Sequence, residues 1–237
     1  MTESRDTPAP LAGHTYLWSV EVPNAEAITG KFHTPFGWRE VPNGYGNSCN
    51  IGVWNGATIP NSPNGEHNAP LTSVPAVGED GSFQLAMTGA DFRTGVYTVA
   101  YFIYEGSRSR AICATLTLSN GRPINSEHTS VAVTRQEFAD GQYFVTLAYT
   151  SPAANIPYYQ ADSVVVCAGG QPVQPDSNIG WMVVADDEPA AGQNTASGSV
   201  RIPLTTAPIS GGQYVAQYDP GNDIWAISAY SPFTWTL

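Results

Sequence analysis

Two stretches of this chain carry the same pattern, and that pattern belongs to β-strands. Laid on each other without a gap, residues 81–101 and 198–218 agree at seven places. Gly81 meets Gly198, Ser82 meets Ser199, Thr88 meets Thr205 and Ala90 meets Ala207. Gly95 meets Gly212, Tyr97 meets Tyr214 and Tyr101 meets Tyr218. Between the identities, Phe83, Leu85 and Met87 meet Val200, Ile202 and Leu204. Apolar residues at every second position give a strand one buried side. After a hairpin that differs by two residues, Ala111-Ile112-Cys113-Ala114 meets Ala226-Ile227-Ser228-Ala229.

The rest of the chain reads the same way. Runs at 14–22, 95–104, 129–134, 142–149, 163–166, 181–184 and 224–230 are β-branched or aromatic and are bounded by Gly, Pro, Asn or Asp. No apolar period of 3.6 residues is sustained over a dozen positions. Many short strands with regular turns imply a sandwich or barrel, and the repeat decides for two units. A repeat of about 115 residues suits one immunoglobulin-like sandwich. The expected fold is therefore all-β, with two tandem immunoglobulin-like antiparallel β-sandwiches at 13–118 and 127–237. The turn-rich stretch 119–126 is the expected linker. Upstream the register is open: Asn50-Ile51-Gly52 can meet Asn178-Ile179-Gly180, or the stretch from Ile51 to Trp54 can meet the one from Val164 to Cys167.

Each repeat closes with a strand, a turn, Gly-x-Tyr-x-x-x-Tyr, a short turn and a last strand. In the second copy these are Gly212, Tyr214, Tyr218, Asn222-Asp223 and Ser231-Pro232-Phe233. This resembles the closing half of SKICH-type immunoglobulin-like domains, over some 60 residues. Asp162 and Val164-Val165-Val166 take the place of the family's Asp-Trp-Ile-Gly strand, with Ser and Val where Trp and Gly stand. The first copy lacks Ser-Pro-Phe. The resemblance implies a sandwich and leans toward a non-catalytic attachment module, although fold analogy does not fix function.

Charge excludes some partners. The net charge is -11, with nine Lys and Arg against 20 Asp and Glu, and Lys31 is the one lysine. Phosphate backbones and anionic membranes take cations, so neither nucleic acid nor an anionic membrane surface is an expected partner. No apolar run reaches about 18 residues, the length of a transmembrane helix. The first ten residues carry no apolar segment of the kind a secretory signal has, so a cytoplasmic location is expected, with secretion by another route left open. Cys49, Cys113 and Cys167 are an odd set with no C-x-x-C pair. Buried thiols are expected, with a Cys49–Cys113 disulfide as the alternative in an oxidising compartment.

No catalytic signature stands out. His14, His33, His67 and His128 share no metal-binding spacing. There is no G-x-S-x-G elbow and no phosphate-cradling loop. A glycosidase needs two opposed carboxylates, and nothing singles out a pair. No cofactor is expected, with Ca2+ as the one open case. The acidic turns holding Asp186, Asp187, Asp219 and Asp223 offer the oxygen ligands calcium takes, without an EF-hand spacing.

Aromatics in loop-like context carry the functional reading. Trp38, Tyr45, Trp54 with Asn55, and Tyr158, Tyr159 with Gln160 set flat rings beside amides and glycines. Sugar C–H faces stack on rings while sugar hydroxyls bond amides. Lectin-like recognition of carbohydrate is the leading expectation. A protein-interaction or assembly subunit comes second, since the same residues suit protein contacts. A hydrolase with an unrecognised carboxylate pair comes third.

Overall fold

The computed structural model describes residues 13–35, 47–60, 67–105, 108–170, 178–184, 195–222 and 227–237. Strands β1 (Tyr16–Asn24), β2 (Ala27–His33), β3 (Asn47–Asn55), β4 (Thr72–Pro75), β5 (Asp80–Ala86), β6 (Val96–Glu105), β7 (Arg108–Ser119) and β8 (Arg122–His128) come first. Then follow β9 (Ser130–Ala139), β10 (Gln142–Thr150), β11 (Ser163–Ala168), β12 (Asn178–Val183), β13 (Ser197–Pro203), β14 (Gln213–Asp219) and β15 (Ala229–Thr234). A one-turn helix α1 (Pro157–Gln160) sits between β10 and β11. All strand pairs within the sheets are antiparallel.

The strands make two layered pairs of sheets. In the first, β1-β2-β5 faces β4-β3-β6-β7-β8. In the second, β9-β10-β13 faces β12-β11-β14-β15. Each pair encloses its own apolar core. Ile28, Ile51, Leu85, Phe92, Val99 and Leu118 fill the first, and Val145, Leu147, Val164, Ile202, Tyr218 and Trp235 fill the second. Alternation places them there: in β5 the buried residues are Phe83 and Leu85, and in β13 they are Val200 and Ile202. Burying a Leu, Ile or Val side chain stabilises by roughly 1.5–3 kcal/mol, so these alternating rows hold the layers together.

The pairings of the two units run in step. Tyr101 pairs with Ala114 and Ile51, and Tyr218 pairs with Ala229 and Val164. Phe83 pairs with Gly30, and Val200 pairs with Leu147. In this scheme Ile51 and Val164 hold equivalent places, each paired with the buried tyrosine of its unit. One packing motif occurs in both cores. A Cβ on Gly81 would lie 2.4 Å from the Phe32 ring, and one on Gly198 would lie 2.7 Å from the Tyr149 hydroxyl. Each aromatic crosses its glycine and meets a buried tyrosine, Phe32 with Tyr101 and Tyr149 with Tyr218, both at 5.8 Å between centroids.

Residues 119–126, the expected linker, run as the end of β7, a two-residue turn and the first part of β8. Asn120 and Gly121 take φ of 48° and 73° and turn the chain back as β8 along β7. Asn-Gly is the dipeptide that a tight hairpin with two positive φ values favours. Thr129 alone separates β8 from β9, and it is buried. β8 (Arg122–His128) is thus the last strand of the five-stranded sheet. Cys49, Cys113 and Cys167 are buried, and none of them forms a disulfide in this structure.

Candidate functional site at the junction of the sandwiches

The outer face of the first unit's large sheet is where the two units meet. Its residues alternate with the core rows, so Trp54, Ala100, Phe102 and Ile112 point away from the first core. The loop after β3 and the segment after β10 cover them, with Ile59 and Ala154 completing a small apolar cluster. Farther along the same face the residues turn polar. Thr98 on β6 and Thr115 and Thr117 on β7 are buried hydroxyl residues, followed by Asn125 and Glu127 on β8.

Between this polar strip and the covering segments lies a cavity of about 180 Å³. Its lining joins Thr98, Thr115, Thr117, Asn125 and Glu127 to apolar residues, among them Ile59 and Ala154. The polar groups hold one another in place. The Thr98 hydroxyl donates to the Gly56 carbonyl at 2.9 Å and lies 3.4 Å from the Thr117 hydroxyl. The Asn125 amide donates to Glu127 Oε1 at 3.2 Å. Glu127 Oε2 accepts the Ala153 backbone N–H at 2.7 Å, which ties the second unit's segment to the rim.

A buried carboxylate anchors that segment from behind. Asp162 is fully buried. Its Oδ2 accepts the Asn155 amide at 2.6 Å and the Tyr218 hydroxyl at 2.5 Å, and its Oδ1 accepts the Gly221 N–H at 2.7 Å. Asn155 Oδ1 in turn accepts the Ile112 N–H of the first unit at 3.0 Å. Burial pushes the Asp162 carboxyl up to about 6, against the pull of its three donors. Burial and the neighbouring carboxylate also hold the Tyr218 hydroxyl well above its usual range. One network therefore runs from the second core to the backbone of the first sheet.

The residues singled out from the sequence divide into four groups. Trp38, Tyr45, Asp186, Asp187 and Asp223 lie outside the described residues. Trp54 is corrected: it sits in a strand, not a loop, is 3% exposed and donates its indole N–H to the Asn68 carbonyl at 2.7 Å. Its ring packs beside the cavity wall residues Ile59 and Ala154 and offers no stacking face. Gln160 is also buried, 6% exposed at the end of α1. Asp219 is 1% exposed at the end of β14. Asn55, Tyr158 and Tyr159 are exposed. The two tyrosine rings meet edge to face, 5.3 Å apart. Asn55 lies just before the loop that forms one cavity wall, and the tyrosines lie just after the segment that forms another. The two groups thus flank one feature that neither of them contains.

Sequence reasoning missed the cavity residues themselves. One signal was present: Thr115-Leu116-Thr117-Leu118 alternates polar and apolar, and Asn125 and Glu127 share a face two positions apart. Among the described residues, no group of three or more His, Cys, Asp or Glu is placed to hold a metal ion. No described helix is long and apolar enough to cross a membrane.

No protein-family model matches the chain, and no curated protein does. Among solved structures it is similar to the BSP domain of a biofilm-associated protein, at 11% identity and a TM-score of 0.25. That match covers 94% of this chain and 29% of the other, so the chain spans under a third of that structure's length.

Proposed function

We propose that this chain is a non-catalytic binding protein that takes a carbohydrate residue in the junction cavity. The carrying observation is the lining of that cavity. Four threonines, an amide and a carboxylate share it with Ile59 and alanines. A sugar presents hydroxyls around its rim and C–H groups on its faces, so it needs both kinds of neighbour. At about 180 Å³ the space suits one small ring, below the roughly 300–1,000 Å³ of pockets for larger ligands. Tyr158 and Tyr159 are the exposed rings nearest in sequence to the wall and supply stacking beyond the cavity.

A glycan array followed by titration calorimetry tests this. Glu127→Gln should weaken a retained glycan at least tenfold, since charged hydrogen bonds are worth about 1.5–3 kcal/mol. Tyr159→Ala should weaken it several-fold, with circular dichroism unchanged in both variants. Retention of no glycan sinks the reading.

The in-step pairings and the shared glycine–aromatic–tyrosine motif support a further part of the proposal, that the units are two immunoglobulin-like copies of one ancestral sandwich. The SKICH-type resemblance enters on the same footing and adds to the attachment-module reading. A second function, a protein-interaction or assembly subunit, is favoured by one feature. Trp181 stands 52% exposed on β12, an edge strand. Light scattering tests it: a stable oligomer that Trp181→Ser dissolves would support assembly, and a monomer at all concentrations would remove it.

A further inference from the structure

We infer that the two sandwiches exchange their leader segments, and that this reciprocal clasp makes the chain fold and unfold as one body. The strand that leads into the second unit is β8, and it pairs along β7 in the first unit's sheet. The segment that leads into the first unit is Gly13–His14–Thr15, and it pairs with β15 in the second unit's sheet. The two pairings occupy matching positions. His128 lies opposite Ala114, and His14 lies opposite Ala229. Ala114 and Ala229 are themselves the partners of Tyr101 and Tyr218.

The backbone bonds match as well. The Thr129 N–H donates to the Cys113 carbonyl at 3.0 Å, and the Thr15 N–H donates to the Ser228 carbonyl at 2.8 Å. Cys113 and Ser228 directly precede the two matching alanines. Gly13 completes the second clasp by accepting the Tyr230 N–H at 2.8 Å. The two leaders meet where they cross. The His14 and His128 rings pack edge to face at 5.2 Å, and His14 Nδ1 lies 2.9 Å from the Thr129 carbonyl. Thr15 and Thr129, one step on, are both buried. This is the arrangement of an isologous dimer, in which each partner gives the same surface to the other, built within one chain.

The consequence is energetic. Opening either unit withdraws a paired segment from the other's sheet and leaves backbone groups of β7 or β15 unpaired. Two tandem domains with an ordinary linker have no such coupling and open separately. The clasp depends on backbone and packing alone and needs no ligand, so it stands or falls apart from the binding proposal.

Hydrogen exchange on the full chain tests it, with Val99 reporting on the first core and Val164 on the second. Thr15→Pro removes the N–H that bonds Ser228. His14→Ala is a milder variant that keeps the backbone and removes the ring contact. Both should speed exchange at Val99 and Val164 by the same factor, larger for Thr15→Pro. Scanning calorimetry of the wild type should give a single endotherm with equal calorimetric and van't Hoff enthalpies. Faster exchange in one core with the other unchanged, or two separable endotherms, would overturn the inference.

Discussion

The two buried tyrosines occupy the same place in their sandwiches, yet they keep different company. Burial and the neighbouring Cys49 thiol hold the Tyr101 hydroxyl well above its usual range in the first unit. Tyr218 donates its hydroxyl to the Asp162 carboxylate in the second. Val164 matches Ile51 in the pairing scheme, so the neighbouring Asp162 matches Cys49. A thiol can sit in an apolar core as a small hydrophobe. A carboxylate there must be fully hydrogen-bonded, and Asp162 meets that demand by recruiting Asn155 and Gly221. The difference shows how one scaffold gives one self-contained core and one core wired to the junction.

The size partition across the sheets differs too, and exchanging it should give the largest effect. Gly30 faces Phe83 in the first unit, where Leu147 faces Val200 in the second. A Cβ on Gly30 would lie 2.6 Å from the Phe83 ring. Gly30→Leu alone should cost more than about 3 kcal/mol in urea unfolding, the upper end of overpacking penalties. Adding Phe83→Val rebuilds the second unit's pairing and should recover most of that loss. A double-mutant cycle measures the recovery. Additive losses would break the equivalence of the two positions.

Acidity separates the units next. Asp162 has its carboxyl raised to about 6 by burial. The folded state holds this proton more tightly than the unfolded chain, so the resulting stability is full below pH 4 and is lost as pH rises through 6. His67 in the first unit is lowered to about 4, again by burial. Its contribution is full above pH 6.5 and is lost as pH falls through 4. Each amounts to about 3 kcal/mol at 1.36 kcal/mol per pKa unit, and the two slopes oppose each other. Stability should therefore be nearly flat between pH 4 and 6.5 in the wild type. Asp162→Asn should lose stability on acidification across that range, and His67→Gln should gain it. Denaturant midpoints against pH report both slopes, and parallel curves for the two variants would contradict the assignment.

The tyrosine hydroxyls give the smallest contrast. Tyr218→Phe removes a donor from a buried carboxylate and should cost about 2 kcal/mol, as hydrogen bonds to charged groups do. Tyr101→Phe removes neutral partners only and should cost about 1 kcal/mol. Equal losses would mean that the carboxylate sets no difference between the cores.

The fold was legible where its physics is local. The alternation of Phe83 and Leu85, repeated in Val200 and Ile202, specifies strands with one buried face whatever the rest of the chain does. Asn120-Gly121 was recognised as a turn, but a turn within a hairpin and a turn within a linker have the same local chemistry. Only pairing with β7 tells them apart. Trp54 misled for a related reason: Asn55-Gly56 marks the end of its strand, and the cover that buries it comes from Ala154, far along the chain. The cavity was invisible because its walls are ordinary threonines and alanines brought together from both units. Asp162 stood out as an acid beside a valine run, yet its partners Asn155, Tyr218 and Gly221 meet only in the folded chain.

The first unit has Thr98 and Thr117 where the pairing scheme puts Val215 and Pro232 in the second. The polar strip therefore belongs to one unit, and the chain should hold a single site. Titration calorimetry of the full chain with the glycan retained on an array measures this directly. One ligand should bind per chain, with binding abolished by Thr117→Val combined with Glu127→Gln. Two ligands per chain, or undiminished binding in that double variant, would contradict it.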